Sequence, residues 1–211
     1  MLCARTLLLI GLASFTVSTN GVAASLSPFP AIFSPPPAAP AHPDLPDDAD
    51  PYYSTPGGFD KDVDMSRSTR KEVADPTGQP EGTLTINTRL RKLFLSLPDG
   101  RAVEYRIAVG RQGFSWKGVA EIGRKAFWPG WTPPPEMLLR RPDLPLHMAG
   151  GPENPLGARA LYLGSSMYRI HGTNEPSTIG QNLSSGCIRM MNEDVIDLYE
   201  RVPVGAKVIV I

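Results

Sequence analysis

Between His171 and Met190 the chain reads His171-Gly-Thr-Asn-Glu-Pro-Ser-Thr-Ile-Gly-Gln-Asn-Leu-Ser-Ser-Gly-Cys187-Ile-Arg-Met190. Just before it, Ala158-Arg-Ala-Leu-Tyr-Leu163 and Ser166-Met-Tyr-Arg-Ile-His171 read as strands paired about Gly164, which delivers His171 at a strand end. The run itself is glycine and small polar residues, not core. It holds one of only three histidines and one of two cysteines. Cysteine attacks as the thiolate, and a free pKa of ~8.5 leaves little thiolate at neutral pH, so a nearby imidazole is the usual activator. Sixteen positions separate His171 from Cys187, enough for the chain to turn back and bring nitrogen to sulfur. Ser184-Ser185-Gly186 precedes the sulfur, where a tight turn can aim backbone N–H groups at an oxyanion. The chemistry suggested is acyl transfer by a Cys–His pair.

Working outward, the flanks read mainly as β structure. Thr83–Asn87 alternates, Lys92–Leu97 is a short apolar run, Pro98-Asp-Gly100 is a turn, and Ala102–Val109 alternates again. That is a hairpin pattern with a turn signal. Short strands are expected at Gly118–Gly123 and Lys125–Trp128, and one or two helical turns at Glu136–Arg141 within a proline-rich loop over 129–146. After Cys187, Asn192 is expected to cap a helix whose Val195, Leu198, Tyr199 and Val202 share one face. Pro203 and Gly205 end it, and Lys207–Ile211 forms a closing strand. The fold class expected is mainly β: a small barrel or sandwich with one C-terminal helix and long loops.

Certain of these residues resemble a known family. His171-Gly-Thr-Asn, the pair Ile179-Gly180, then Ser-x-Gly-Cys187-Ile-Arg-Met and Asn192-Glu-Asp-Val are similar to the active-site motif of the L,D-transpeptidases, the YkuD-like catalytic domain. Gly151-Pro-Glu-Asn-Pro-Leu-Gly157 also fits. One departure is that Ser185 stands where the family usually has histidine before Gly-Cys. The resemblance implies a peptidoglycan L,D-transpeptidase. Cys187 would attack the stem tetrapeptide before its terminal D-alanine, His171 would accept the thiol proton, and an amine would resolve the thioester. Backbone groups of Ser185 and Gly186 would hold the oxyanion, and the Gly172 carbonyl would fix the imidazole tautomer. Cell-wall cross-linking, with its consequences for wall organisation and cell shape, or attachment of a wall-anchored lipoprotein, are the implied outcomes. An L,D-carboxypeptidase and a non-catalytic wall-binding module are the alternatives.

Arg189 is expected either to bind a substrate carboxylate through its planar fork or to pair with Glu193 or Asp194. No metal or organic cofactor is called for. His147, His171 and Cys187 are zinc-ligand types, but the close ligand pairs of structural zinc sites are missing from the sequence. The order His before Cys differs from papain-like and NlpC/P60-type peptidases, and no Gly-x-Ser-x-Gly elbow is present. Trp116, Trp128 and Trp131 are read as core before sugar platforms.

Composition sets the organisation. Residues 1–24 read as a secretory signal: Arg5, an apolar run from Leu7 to Phe15, then Val22-Ala-Ala24. Residues 25–81 are proline-rich and acidic, expected as a largely disordered linker, and 82–211 as the catalytic domain. Charge divides the same way: 41–81 carries ten acids and four bases, 82–211 eleven acids and sixteen bases. The bases are scattered singly, without the clusters expected of a nucleic-acid binder, and a mildly basic face would suit a carboxylate-bearing polymer. The expectation is an exported monomer in the periplasm or cell wall of a bacterium, acting on peptidoglycan stem peptides.

Overall fold

The computed structural model describes residues 59–211 apart from 111–116, 165, 167 and 185. Residues 1–24, expected as a signal, Trp116, Ser185 and the first part of the expected linker lie outside the described residues. The strands are β1 (Lys71–Ala74), β2 (Leu84–Asn87), β3 (Lys92–Ser96), β4 (Arg101–Arg106), β5 (Val109–Gly110), β6 (Gly118–Phe127), β7 (Arg159–Leu163), β8 (Arg169–His171), β9 (Asn182–Ser184), β10 (Ile188–Arg189) and β11 (Lys207–Val210). The helices are α1 (Pro135–Arg140) and α2 (Asn192–Arg201). Nine strands form one sheet in the order β1-β4-β3-β2-β11-β6-β7-β8-β10, and β5 pairs with β9 separately. The large sheet does not close on itself, and the protein is mainly β with long loops, as the sequence suggests. None of the described residues forms a helix long and apolar enough to cross a membrane.

The hairpin β3–β4 turns at Pro98–Gly100, where Asp99 and Gly100 take φ of 59° and 65°. Left-handed backbone of this kind suits glycine and is tolerated by aspartate. The closing strand β11 is central: it runs parallel to β2 and antiparallel to β6. Inward residues of β2–β4, β6–β8, β10 and β11 meet Val195, Leu198, Tyr199 and Val202 of α2 in one core. The helical spacing of those four residues therefore buries the face that the sequence predicts.

Two expectations need correction. Gly118–Phe127 is one strand carrying a bulge at Gly123, not two strands. Ile122 pairs with Leu163 and points into the core, while Arg124 pairs with Tyr162 on the opposite face. A Cβ on Gly123 would lie 2.4 Å from the Gly164 carbonyl oxygen, so the extra residue has no room for a side chain.

Nor does order begin at Gly82. Residues 59–74 form a strap ending in β1, which pairs antiparallel with β4. Asp60 pairs with the buried Arg159 and accepts from Trp128 Nε1 at 3.0 Å. Phe59 meets the Trp128 ring edge-on at 5.4 Å. Further along, Ser68 Oγ and Thr69 N donate to the fully buried Asp194 at 2.6 and 2.9 Å. Proline content marks the preceding segment as unable to build a core, and residues 59–74, none of them buried, dock on the domain through β1 and these contacts instead.

Candidate active site

Strand pairing brings the two ends of the glycine-rich run together. β10 lies parallel to β8, with Ile188 opposite Ile170 and Arg189 opposite His171. Both isoleucines are in the core. Alternation along a strand then turns Cys187 and Arg189 to the other face, together with Arg169 and His171. Three backbone bonds hold this arrangement: Met190 N donates to the His171 carbonyl at 2.8 Å, and Arg189 exchanges two bonds with Ala108 at 2.8 and 2.9 Å. Cys187 is half-buried. Continuing across the sheet, the same face carries Ala160 and Tyr162 of β7, then Arg124 and Ala126 of β6.

His171 is only 4 % exposed, and its Nδ1 lies 2.7 Å from the Gly172 carbonyl oxygen. A carbonyl can only accept, so Nδ1 carries the hydrogen and Nε2 is left with a lone pair. Burial lowers the ring's pKa to about 3, helped by the positive charges of Arg169 and Arg189 and opposed by the backbone carbonyls of Gly172 and Leu156. The imidazole is therefore neutral at physiological pH. It is a base only for a proton that leaves as a new bond forms.

Arg189 does not reach Glu193 or Asp194. Its Nη1 donates to Glu175 Oε2 at 3.1 Å and to Thr178 Oγ1 at 2.9 Å, while its buried Nε has no hydrogen-bond partner. Glu175 and Thr178 lie in the loop that follows β8, on the Cys187 side of the sheet. Glu193 and Asp194 begin α2, on the core side, which is why the sequence neighbours are not the partners. Arg169 and Arg124 flank Tyr162, with guanidinium carbons 5.6 and 3.8 Å from its ring centroid. Three arginines thus stand on the face that carries Cys187. Arg169 is legible in the sequence, since it stands two residues before His171 on a strand and must share its face.

Gly186 is buried, and Gly172 is fitted so closely that a Cβ would lie 2.2 Å from Asn192 Oδ1. Asn192 does not cap α2. It is the first helical residue, and its Oδ1 instead accepts from Ala158 N and Thr173 N, both at 3.0 Å. Asn154, in the Gly151–Gly157 run, is 1 % exposed and turns that loop through bonds to Met148 O, Ala149 O and Leu156 N. His147 contacts Thr132 Oγ1 at 3.2 Å and packs on Gly130, away from this set. Trp128 is buried beneath Phe59, and Trp131 bridges to Met148. Among the described residues no cluster of three histidine, cysteine or carboxylate side chains is placed to hold a metal.

Two cavities among the described residues have other linings. One of about 120 Å³ lies under the strap, bounded by Phe59, Asp62, Arg67, Trp128 and Glu193. The other, of about 260 Å³, is bounded by Pro76, Thr85, Leu90 and Ile209. Neither includes Cys187 or His171. Chemistry, not cavity size, singles out the sheet face, because it carries an imidazole and three arginines on strands beside Cys187.

Comparison with known proteins agrees with the family resemblance of the motif. Residues 81–210 match the YkuD family, described as the L,D-transpeptidase catalytic domain. The "Probable L,D-transpeptidase ErfK/SrfK" of Escherichia coli strain K12 is 38% identical over 137 residues, 61% of this chain and 43% of that protein. The present chain thus spans under half the length of that relative. The "Putative L,D-transpeptidase in ATP synthase subunits region ORF 5" of Fuscovulum blasticum is 44% identical over 95 residues, 45% of this chain and 50% of that protein. Among solved structures, the Ldtfm–avibactam carbamoyl enzyme superposes with a TM-score of 0.51 at 14% identity, covering 63% of this chain and 49% of its own. That likeness concerns the fold.

Proposed function

This chain belongs to the L,D-transpeptidase family, and on that premise we propose that it transfers a peptidoglycan stem peptide through Cys187. The observation that supports the reading is the parallel register of β8 and β10, which sets Arg189 opposite His171 with Cys187 directly before β10. The donor is a tetrapeptide stem. Cys187 Sγ attacks the carbonyl preceding the terminal D-alanine as its proton passes to His171 Nε2, giving a tetrahedral oxyanion. Because burial keeps the ring neutral, Nε2 is free to take the proton as the sulfur attacks. Backbone N–H groups at Ser185, Gly186 and Cys187 stabilise the oxyanion. The C–N bond then breaks, D-alanine leaves with the proton held by His171, and a thioester remains. An acceptor amine, giving its proton to His171, attacks that thioester; the C–S bond breaks and the proton passes from His171 to the sulfur, restoring the Cys187 thiol.

The cationic face suits this substrate, whose stem ends in a carboxylate. Arg189, held on one side by Glu175 and Thr178, offers the rest of its fork to that group. The same reading places the protein outside the cytoplasm, exported by residues 1–24 and acting as a monomer in the periplasm or wall. The acceptor is a second stem or a wall-anchored lipoprotein, so that wall organisation and cell shape depend on the reaction.

The test is mass spectrometry of disaccharide-tetrapeptides incubated with wild type, Cys187→Ala and Cys187→Ser. Wild type should give cross-linked dimer and free D-alanine, and both variants none. Free tripeptide without dimer would mean L,D-carboxypeptidase activity. Turnover by Cys187→Ser near the wild-type rate would remove the thiol from the mechanism, and no turnover by wild type would favour a wall-binding module.

A further inference from the structure

The Gly172 carbonyl and the Thr173 N–H belong to one peptide group. That group is planar and trans, so its N–H and C=O point in opposite directions. The N–H is fixed on Asn192 Oδ1 at 3.0 Å, and the C=O is aimed at His171 Nδ1 at 2.7 Å. The same Oδ1 accepts from Ala158 N at 3.0 Å, tying the start of β7 to this peptide. No side chain can intervene: a Cβ on Gly157 would come within 2.2 Å of that oxygen, and so would one on Gly172. The peptide's orientation is thereby set from the first turn of α2.

We propose that Asn192 is a positioning residue for the imidazole: by holding Thr173 N–H it aims the Gly172 carbonyl at His171 Nδ1 and keeps Nε2 unprotonated toward Cys187. The proposal rests on His171 as the base. Donation by Thr173 N–H also polarises the shared amide, which makes Gly172 O a stronger acceptor. Without Asn192 the amide is released to rotate, and the ring can exchange to the tautomer with hydrogen on Nε2. That tautomer cannot take the thiol proton. Helix capping does not require this asparagine, since Met191 holds the capping position and Asn192 bonds outside the helix.

The experiment is ¹⁵N–¹H correlation of the histidine rings in ¹⁵N-labelled protein, with His171→Ala assigning the signal. It is combined with kcat and KM for stem-peptide transfer by wild type, Asn192→Ala and Asn192→Asp. Wild type should show hydrogen on Nδ1. Asn192→Ala should show a mixture with the Nε2–H form and lose about 10²-fold in kcat, with KM nearly unchanged. Asn192→Asp, whose carboxylate accepts the same two N–H groups, should restore both the Nδ1–H signal and most of kcat. The idea fails if folded Asn192→Ala keeps a pure Nδ1–H ring, or if wild type itself carries hydrogen on Nε2. The second result can be read even when no variant folds. An unaltered tautomer shift in a protein with no transferase activity would instead count against the proposed function while leaving the positioning role intact.

Discussion

Asp60 and Arg159 are joined through both ends of the guanidinium: Nη1 donates to Oδ1 at 2.8 Å and Nη2 to Oδ2 at 2.5 Å. Arg159 is 2 % exposed, and its charge also lies 4.3 Å from the Phe127 ring centroid. An arginine this deep is tolerable only while paired. Asp60→Ala should therefore cost about 3 kcal/mol in urea unfolding at pH 7, toward the lower end of what breaking a buried pair costs because Asp60 itself is partly exposed. A double substitution with Arg159→Met should recover much of the loss. If Asp60→Ala unfolds at the wild-type midpoint, the strap is not docked in solution.

Lys125 closes the other end of α2. Its ammonium donates to the Tyr199 and Val202 carbonyls at 2.5 and 2.8 Å and sits 3.9 Å from the centroid of the Tyr199 ring. Carbonyls at a helix C-terminus lack partners within the helix, and a cation there is favourable. Lys125→Met keeps the aliphatic stem and removes the donor. We expect it to destabilise by about 1–2 kcal/mol, read from the denaturant midpoint at constant m-value.

Acid should weaken the fold through His171. In the folded protein its pKa is about 3, against ~6.5 in an unfolded chain, so between those values the unfolded chain binds the extra proton. The contribution is full above pH ~6.5 and declines by about 1.4 kcal/mol per unit as pH falls toward 3. His171→Gln has no such slope, and the difference between the two stability curves isolates the ring. For the same reason the acid limb of kcat/KM should lie well below pH 6. A limb near 6.5 would show the ring to be solvated in the working enzyme.

Arg189→Lys keeps the charge and loses the planar fork. KM for the stem donor should rise about tenfold with kcat little changed, the loss expected for one charge-assisted hydrogen bond. Initial rates over a donor series decide it: a fall in kcat at constant KM would place Arg189 at the reacting centre instead.

Local patterns were readable in the sequence because their determinants are local. The Pro98–Gly100 turn, the buried face of α2 and the strand end at His171 all follow from spacing within a few residues. What was not readable depends on pairings far apart in the chain. Asp60 meets Arg159, and Ser68 meets Asp194, across 99 and 126 positions, so the strap reads as acidic linker until its partners are known. Arg189 chose Glu175 over Glu193 because strand alternation, not sequence distance, decides the face. Asn192 has the residue type of a helix cap, and only the return of the 172–173 turn gives its oxygen different donors.

The extra residue at Gly123 has a consequence for how the chain can vary in length. Upstream of it the even-numbered positions Ala120 and Ile122 face the core. Downstream, Phe127 packs against that core while Arg124 and Ala126 stand with Tyr162 and Ala160 on the opposite face. Deleting Gly123 would make Ile122 and Arg124 neighbours opposite the neighbours Leu163 and Tyr162, so plain alternation would keep both faces as they are. Removing a paired residue such as Lys125 instead would slip Ala126 and Phe127 by one position and exchange the faces they occupy. Gly123 is thus the one position of the Ile122–Phe127 stretch at which β6 can lose a residue without turning its side chains over.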